Sequence, residues 1–219
     1  MPFVVWAVAL VVGGLAATIV VSVTGYADAH RSDLPVWVLL LQQVPYWSVL
    51  VAGCWFVSDR AGTGSMVRDY GLRWRGVDLI GFPIGVLVQL VFVPVLYFPL
   101  RPFINVDDIS RPAEELTSGV QGFEVVLLLV LLVVGAPLVE ELFYRGLLQR
   151  SLMAAWNDTL ALVVTALLFG IAHFQLLQLP ALVLFGLVVG YMAKRTGRLG
   201  MSVLAHSGFN ATTVFLLLR

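Results

Sequence analysis

The chain has 219 residues, 60% of them hydrophobic and only 12% charged, with a mean hydropathy of +0.96 and no formal net charge at pH 7. In water such a composition would expose apolar patches far larger than a soluble monomer carries, so the expected solvent is a bilayer. The neutral balance and the absence of a long basic run exclude nucleic acid and other polyanions as partners.

Apolar runs at 3–23, 35–57, 77–99, 122–150, 158–176, 179–194 and 199–218 approach or exceed the ~20 residues a helix needs to cross the hydrocarbon core. The predicted fold is therefore all-α, a polytopic transmembrane bundle of about seven spanning helices. Residues 1–219 form a single transmembrane domain on this reading. The first run lacks a basic leader and a small-residue cleavage site, so it is expected to be a retained helix. Cys54 is the one cysteine; it has no intrachain disulfide partner and is expected to pack as a small hydrophobe.

The breaks alternate in charge. Arg60, Arg68, Arg73 and Arg75, then Arg150, then Lys194, Arg195 and Arg198 fall after even-numbered runs, which assigns them to the cytoplasmic side. The opposite side receives Asp28 and Asp33, then Asp107, Asp108, Glu114 and Glu115, and the uncharged 175–180 stretch. The N-terminus is then cytoplasmic and the C-terminus lies across the membrane, where Arg219 sits against the trend. Short loops suggest a bacterial plasma membrane. Gly81 with Gly85 and Gly186 with Gly190 have the spacing that lets helix backbones approach, inside one bundle or between two copies.

Ionisable groups within spans are costly and persist mainly where they pair or do chemistry. The fourth run carries Glu140, Glu141 and Arg145, the fifth His173, and the seventh His206 and Asn210. Glu141 and Arg145 are four apart, with the acid first, the favourable order for a helical ion pair. Glu140 points about 100° away around the helix and must find its partner elsewhere, which makes it the available carboxylate. Pro137, one turn upstream, breaks the backbone hydrogen-bond ladder and favours a kink that admits water. Phe169 with His173 and His206 with Asn210 each share a helix face and can project into one interior. A carboxylate, two imidazoles and an amide are the parts of a water-activating hydrolase. No serine or cysteine elbow and no His-Glu-x-x-His helix occurs in the sequence.

The segments Glu140-Glu141-Leu142-Phe143-Tyr144-Arg145, Phe169-Gly170-Ile171-Ala172-His173 and His206-Ser207-Gly208-Phe209-Asn210 resemble, in order, the EExxxR, FxxxH and HxxxN motifs of the CPBP (CAAX-processing and bacteriocin-processing, or ABI) intramembrane proteases. The resemblance places the catalytic core in about 120–219; residues 1–119 are similar to the family only in hydrophobic layout. It implies an intramembrane endopeptidase acting on membrane-embedded or membrane-associated peptides or proteins. Glu140 would be the general base assisted by His173, Glu141 and Arg145 would hold helix and acid in place with Phe169 beside them, and His206 and Asn210 would steady the oxyanion. In a metal version of the same chemistry, Glu140, His173 and His206 would hold a catalytic zinc; the absence of a close histidine pair favours a metal-free glutamate protease. A non-catalytic scaffold or immunity protein and a proton-coupled transporter are the competing functions. Substrate identity and oligomeric state are left open by the residues.

Overall fold

The computed structural model describes residues 1–105 and 107–218; Arg219, and with it the question of its side, lies outside them. Helices form at each of the seven apolar runs: α1 (Pro2–Thr24), α2 (Val36–Ala61), α3 (Gly76–Leu100), then, after a further helix α4 (Asp107–Thr117), α5 (Phe123–Ala155), α6 (Asp158–Ile171), α7 (Leu179–Thr196) and α8 (Gly200–Leu217). Five of them, α1, α2, α3, α5 and α7, are long and apolar enough to cross a membrane by length and composition. No strand occurs among the described residues. The protein is an all-α integral membrane bundle.

An apolar belt faces outward, as a lipid solvent requires. On α1, Val4, Val8, Val11, Leu15 and Ile19 are exposed at helical spacing and only Ala9 is buried. The interior belongs to α5 and the helices around it, with Phe143, Tyr144, Leu147, Leu148, Phe169 and Phe185 at its centre and Cys54 packed among them. The cysteine thus behaves as a small hydrophobe.

The three basic breaks meet at one end of the bundle. Arg150 donates to the Gly197 carbonyl (2.9 Å) and to that of Asp69 (3.4 Å), and Leu199 N–H donates to Gly71 O (2.9 Å). Gly71 has φ +68°, and a Cβ there would stand 2.5 Å from the Gly197 oxygen, so glycine serves both the turn and the contact. Arg198 closes the same end through Asp78 at 2.6 Å. Just outside the span, hydroxyls of Ser58 and Thr63 hold the Asp69 carboxyl below its ordinary range. The acidic breaks gather at the other end, where Gln178 donates to Ile109 O (2.6 Å) and the Val36 amide to Glu124 (3.3 Å).

The two glycine pairs are internal packing devices. A Cβ on Gly81 would lie 2.2 Å from Met201 O, and one on Gly85 1.9 Å from Ala205 O, so α3 lies directly on the backbone of α8. Gly186 does the same for Ala166 of α6, with a Cβ at 3.1 Å. The α3–α8 crossing fixes His206, the residue after Ala205. Gly85→Ala is expected to cost about 1–3 kcal/mol of stability, the usual penalty for overpacking a tight contact. Thermal unfolding in detergent micelles checks this; an unchanged melting temperature would mean the two backbones are not that close.

Two expectations need correction in detail. The segment after residue 121 continues as helix to Ala155 and contains two π stretches, Val130–Gly135 and Leu142–Gln149. The helix expected over 158–176 ends at Ile171, because Phe174 takes φ +54° and the chain turns.

Candidate active site

The site is built on α5. Glu141 and Arg145 form the expected pair, Arg145 Nη1 to Glu141 Oε1 at 2.9 Å, with both side chains wholly buried. Arg145 also donates to the Gly186 carbonyl (3.3 Å), and its guanidinium lies 4.5 Å from the centre of the Phe169 ring. One turn further on, Gln149 donates to Gly190 O (2.9 Å). The second glycine pair therefore has another role: without side chains, Gly186 and Gly190 leave their carbonyls open to two buried α5 donors. That cluster sits in the interior.

His206 stands between the two adjacent carboxylates. Its Nδ1 is 3.0 Å from Glu141 Oε1 and its Nε2 is 3.9 Å from Glu140 Oε2. A carboxylate only accepts, so Nδ1 carries the proton of that hydrogen bond and Nε2 is the working end. Phe169 and Phe185 meet the imidazole edge-on, at 5.7 and 5.1 Å between ring centres, and hold its plane. Glu141 thus does more than neutralise Arg145, since it also orients a histidine from α8.

His173 lies in the turn that closes α6, one turn past Phe169. The Phe169 carbonyl is among the last of the helix, where no further helical amide arrives, and His173 Nδ1 donates to it at 2.8 Å. This leaves Nε2 free as the acceptor. Asn210 is placed by a related device. In the π stretch the Ala136 amide bonds to Leu131 O, so the next carbonyl, Leu132, would await residue 137, a proline with no N–H. Asn210 Nδ2 supplies the missing donor at 2.7 Å. One amide proton of Asn210 is therefore committed to α5, and the remainder of its amide group is what it can offer to a ligand.

Glu140, Phe169, His173, His206 and Asn210 all line one cavity of about 1040 Å³. Glu140 is 9% exposed, open enough to meet a ligand and shielded from bulk solvent. Among the described residues, no group of three or more His, Cys, Asp or Glu side chains is placed to hold a metal ion. Glu140, His173 and His206, the trio that would bind zinc, do not form a ligand set as arranged.

Residues 122–212 match the family model described as type II CAAX prenyl endopeptidase Rce1-like. Through this region the chain resembles the Rce1-like family. An Escherichia coli protein named "Uncharacterized 24.3 kDa protein" is 37% identical over 157 residues, 69% of this chain and 65% of its own length. A Bacillus subtilis (strain 168) protein named "Putative membrane peptidase YdiL" is 25% identical over 143 residues, 64% of this chain and 55% of its own. The matched stretch thus spans less than two thirds of either relative. No solved structure matches.

The Rce1-like region contains α5, α6, α7 and most of α8, and with them every motif residue. Residues of α1–α4 complete the cavity wall, with Tyr46, Trp47, Gln89 and Tyr97 supplied by α2 and α3. Sequence reading passed over these. Gln89 carried a signal, since an amide inside an apolar run is subject to the same cost that singled out Asn210. Tyr46 and Trp47 follow Pro45 on α2 and read as ordinary apolar lining.

Proposed function

We propose that the protein is an intramembrane endopeptidase that hydrolyses peptide bonds of membrane-associated proteins or peptides with an activated water molecule. The observation that carries this reading is the convergence of Glu140, His173, His206 and Asn210, from three separate helical segments, on one cavity. Glu140, the carboxylate without an arginine partner, takes the proton of the attacking water, assisted by the free Nε2 of His173. His206, oriented through Glu141, presents Nε2 to the oxyanion, and the uncommitted amide proton of Asn210 donates beside it. For this role His206 carries a proton on Nε2 as well as on Nδ1, and Glu140 is ionised. The reaction runs without a bound metal on this reading.

The whole chain serves as one transmembrane domain, with α5–α8 holding the reacting groups and α1–α4 completing the cavity. Its place is the bacterial plasma membrane, with the basic end of the bundle and the N-terminus in the cytoplasm. The relatives' descriptions name a prenyl endopeptidase and a membrane peptidase; what carries over here is peptide hydrolysis, with or without a prenyl group on the substrate.

The test is purified protein in detergent with quenched fluorogenic peptides, prenylated and unprenylated, with and without a metal chelator, and products identified by mass spectrometry. Endoproteolytic products formed at equal rates with and without chelator are expected. Complete chelator inhibition, reversed by zinc, would replace the metal-free mechanism, and intact peptides throughout would sink the peptidase reading.

A further inference from the structure

The cavity has a second charged region, at the acidic end of the bundle. Arg31 and Arg101 line it there together with Ser110 and Gln178. Arg31 opens the short turn Arg31–Asp33 before α2, and Arg101 directly follows the last residue of α3; both side chains are exposed. Three acids of this end have other partners. Asp33 accepts from Ser32 (3.2 Å), Asp108 pairs with Arg111 (2.8 Å), and Glu114 accepts from Ser110. Among the described residues neither Arg31 nor Arg101 has an ion-pair partner; Arg101 lies over the Phe98 ring at 5.6 Å. A cavity whose inner end is acidic at Glu140 therefore has, at its other end, two guanidinium groups without an ion-pair partner among the described residues.

A guanidinium presents a planar fork of donors that matches a carboxylate, and water is a poor substitute for that geometry. We propose that Arg31 and Arg101 form a specificity subsite for an acidic side chain of the peptide, displaced from the scissile bond and held at the mouth while that bond lies against Glu140 and His206. The proposal rests on the peptidase reading. A side chain is favoured over a chain terminus because both arginines are exposed at an opening through which the peptide can continue. A peptide is favoured over a lipid phosphate because both groups line the cavity that contains Glu140 and Asn210, not the outer apolar belt.

The experiment uses C-terminally amidated peptides that carry either Glu or Gln at successive distances from the cleaved bond, with the protein in uncharged micelles. Wild type is expected to show a KM about fivefold lower for the best-placed Glu peptide, the scale of a partly exposed ion pair. Arg31→Gln and Arg101→Gln bring the two peptides toward parity with kcat unchanged, and Arg101→Glu transfers the preference to a Lys peptide. Fluorescence anisotropy on the Glu140→Gln protein repeats the comparison without turnover. Equal treatment of Glu and Gln peptides by wild type, or a preference that survives both arginine substitutions, overturns the subsite and leaves the peptidase intact. An arginine-dependent binding preference without cleavage of any peptide does the reverse. A preference that vanishes in nanodiscs containing anionic phospholipid assigns the arginines to lipid phosphate and also overturns the proposal.

Discussion

Glu140→Gln is expected to lower kcat for peptide hydrolysis by about 10³-fold, within the range lost when a positioned general base is removed. Glutamine keeps the shape of the side chain and its capacity to accept a hydrogen bond but cannot take a proton, so peptide affinity and thermal stability should change little. The neighbouring substitution sharpens the result. Glu141→Gln retains an acceptor for His206 Nδ1 and for Arg145, and it should slow the reaction less because it weakens an orienting contact and leaves the base in place. Initial rates with a quenched peptide, measured at saturating concentration, separate the two. A Glu140→Gln enzyme as fast as wild type removes Glu140 from the mechanism; a Glu141→Gln enzyme slower than Glu140→Gln would exchange the roles of the two acids.

Arg145→Gln should be the most destabilising single change at the site. Both partners of the Glu141–Arg145 pair are wholly buried, and removal of one leaves an uncompensated charge, at a cost of about 3–5 kcal/mol. His206 loses its orientation with it, because its Nδ1 partner is the same Glu141 oxygen that Arg145 holds. The double variant Glu141→Gln with Arg145→Gln should recover part of that loss, since no lone charge remains. Unfolding by denaturing detergent in mixed micelles measures all three variants. A single variant as stable as wild type, or a double variant less stable than the sum of the singles, would contradict a charged and buried pair.

Much of this site was legible because a membrane makes polar residues conspicuous. Glu140, His173, His206 and Asn210 stood out as costly groups in apolar runs, and the separation of a paired Glu141 from an unpaired Glu140 followed from helix geometry. The basic residues also announced that the break with Arg68 and Arg73, the break at Arg150 and the break with Arg198 would share one end, and backbone groups of the first and third meet Arg150 and each other there. What stayed hidden depended on contacts distant in sequence or on departures from ideal helix. Nothing in a residue string shows that Glu141 reaches a histidine 65 positions away, or that a π register delivers the Leu132 carbonyl to Asn210. The helix α4 was missed because it starts with two aspartates, contains Pro112 and is too polar to register as a span. Its Ile109, Ala113 and Leu116, at helical spacing and lining the cavity, were nonetheless a readable face.

The bond from Asn210 to the Leu132 carbonyl has a consequence for how the molecule can move. It fastens α8 to α5 at the point where proline leaves the ladder of α5 one donor short, and the glycines of α3 grip the other side of α8. Those three helices form a vice whose jaws cannot part without exposing a bare carbonyl to lipid, so they travel as one body. On the flank of α1 the hold is of another kind: α1 buries a single residue, bonds to α5 from Trp6 to the Tyr144 hydroxyl at 3.1 Å, and accepts from Gln42 of α2 at the Ala17 carbonyl at 3.4 Å.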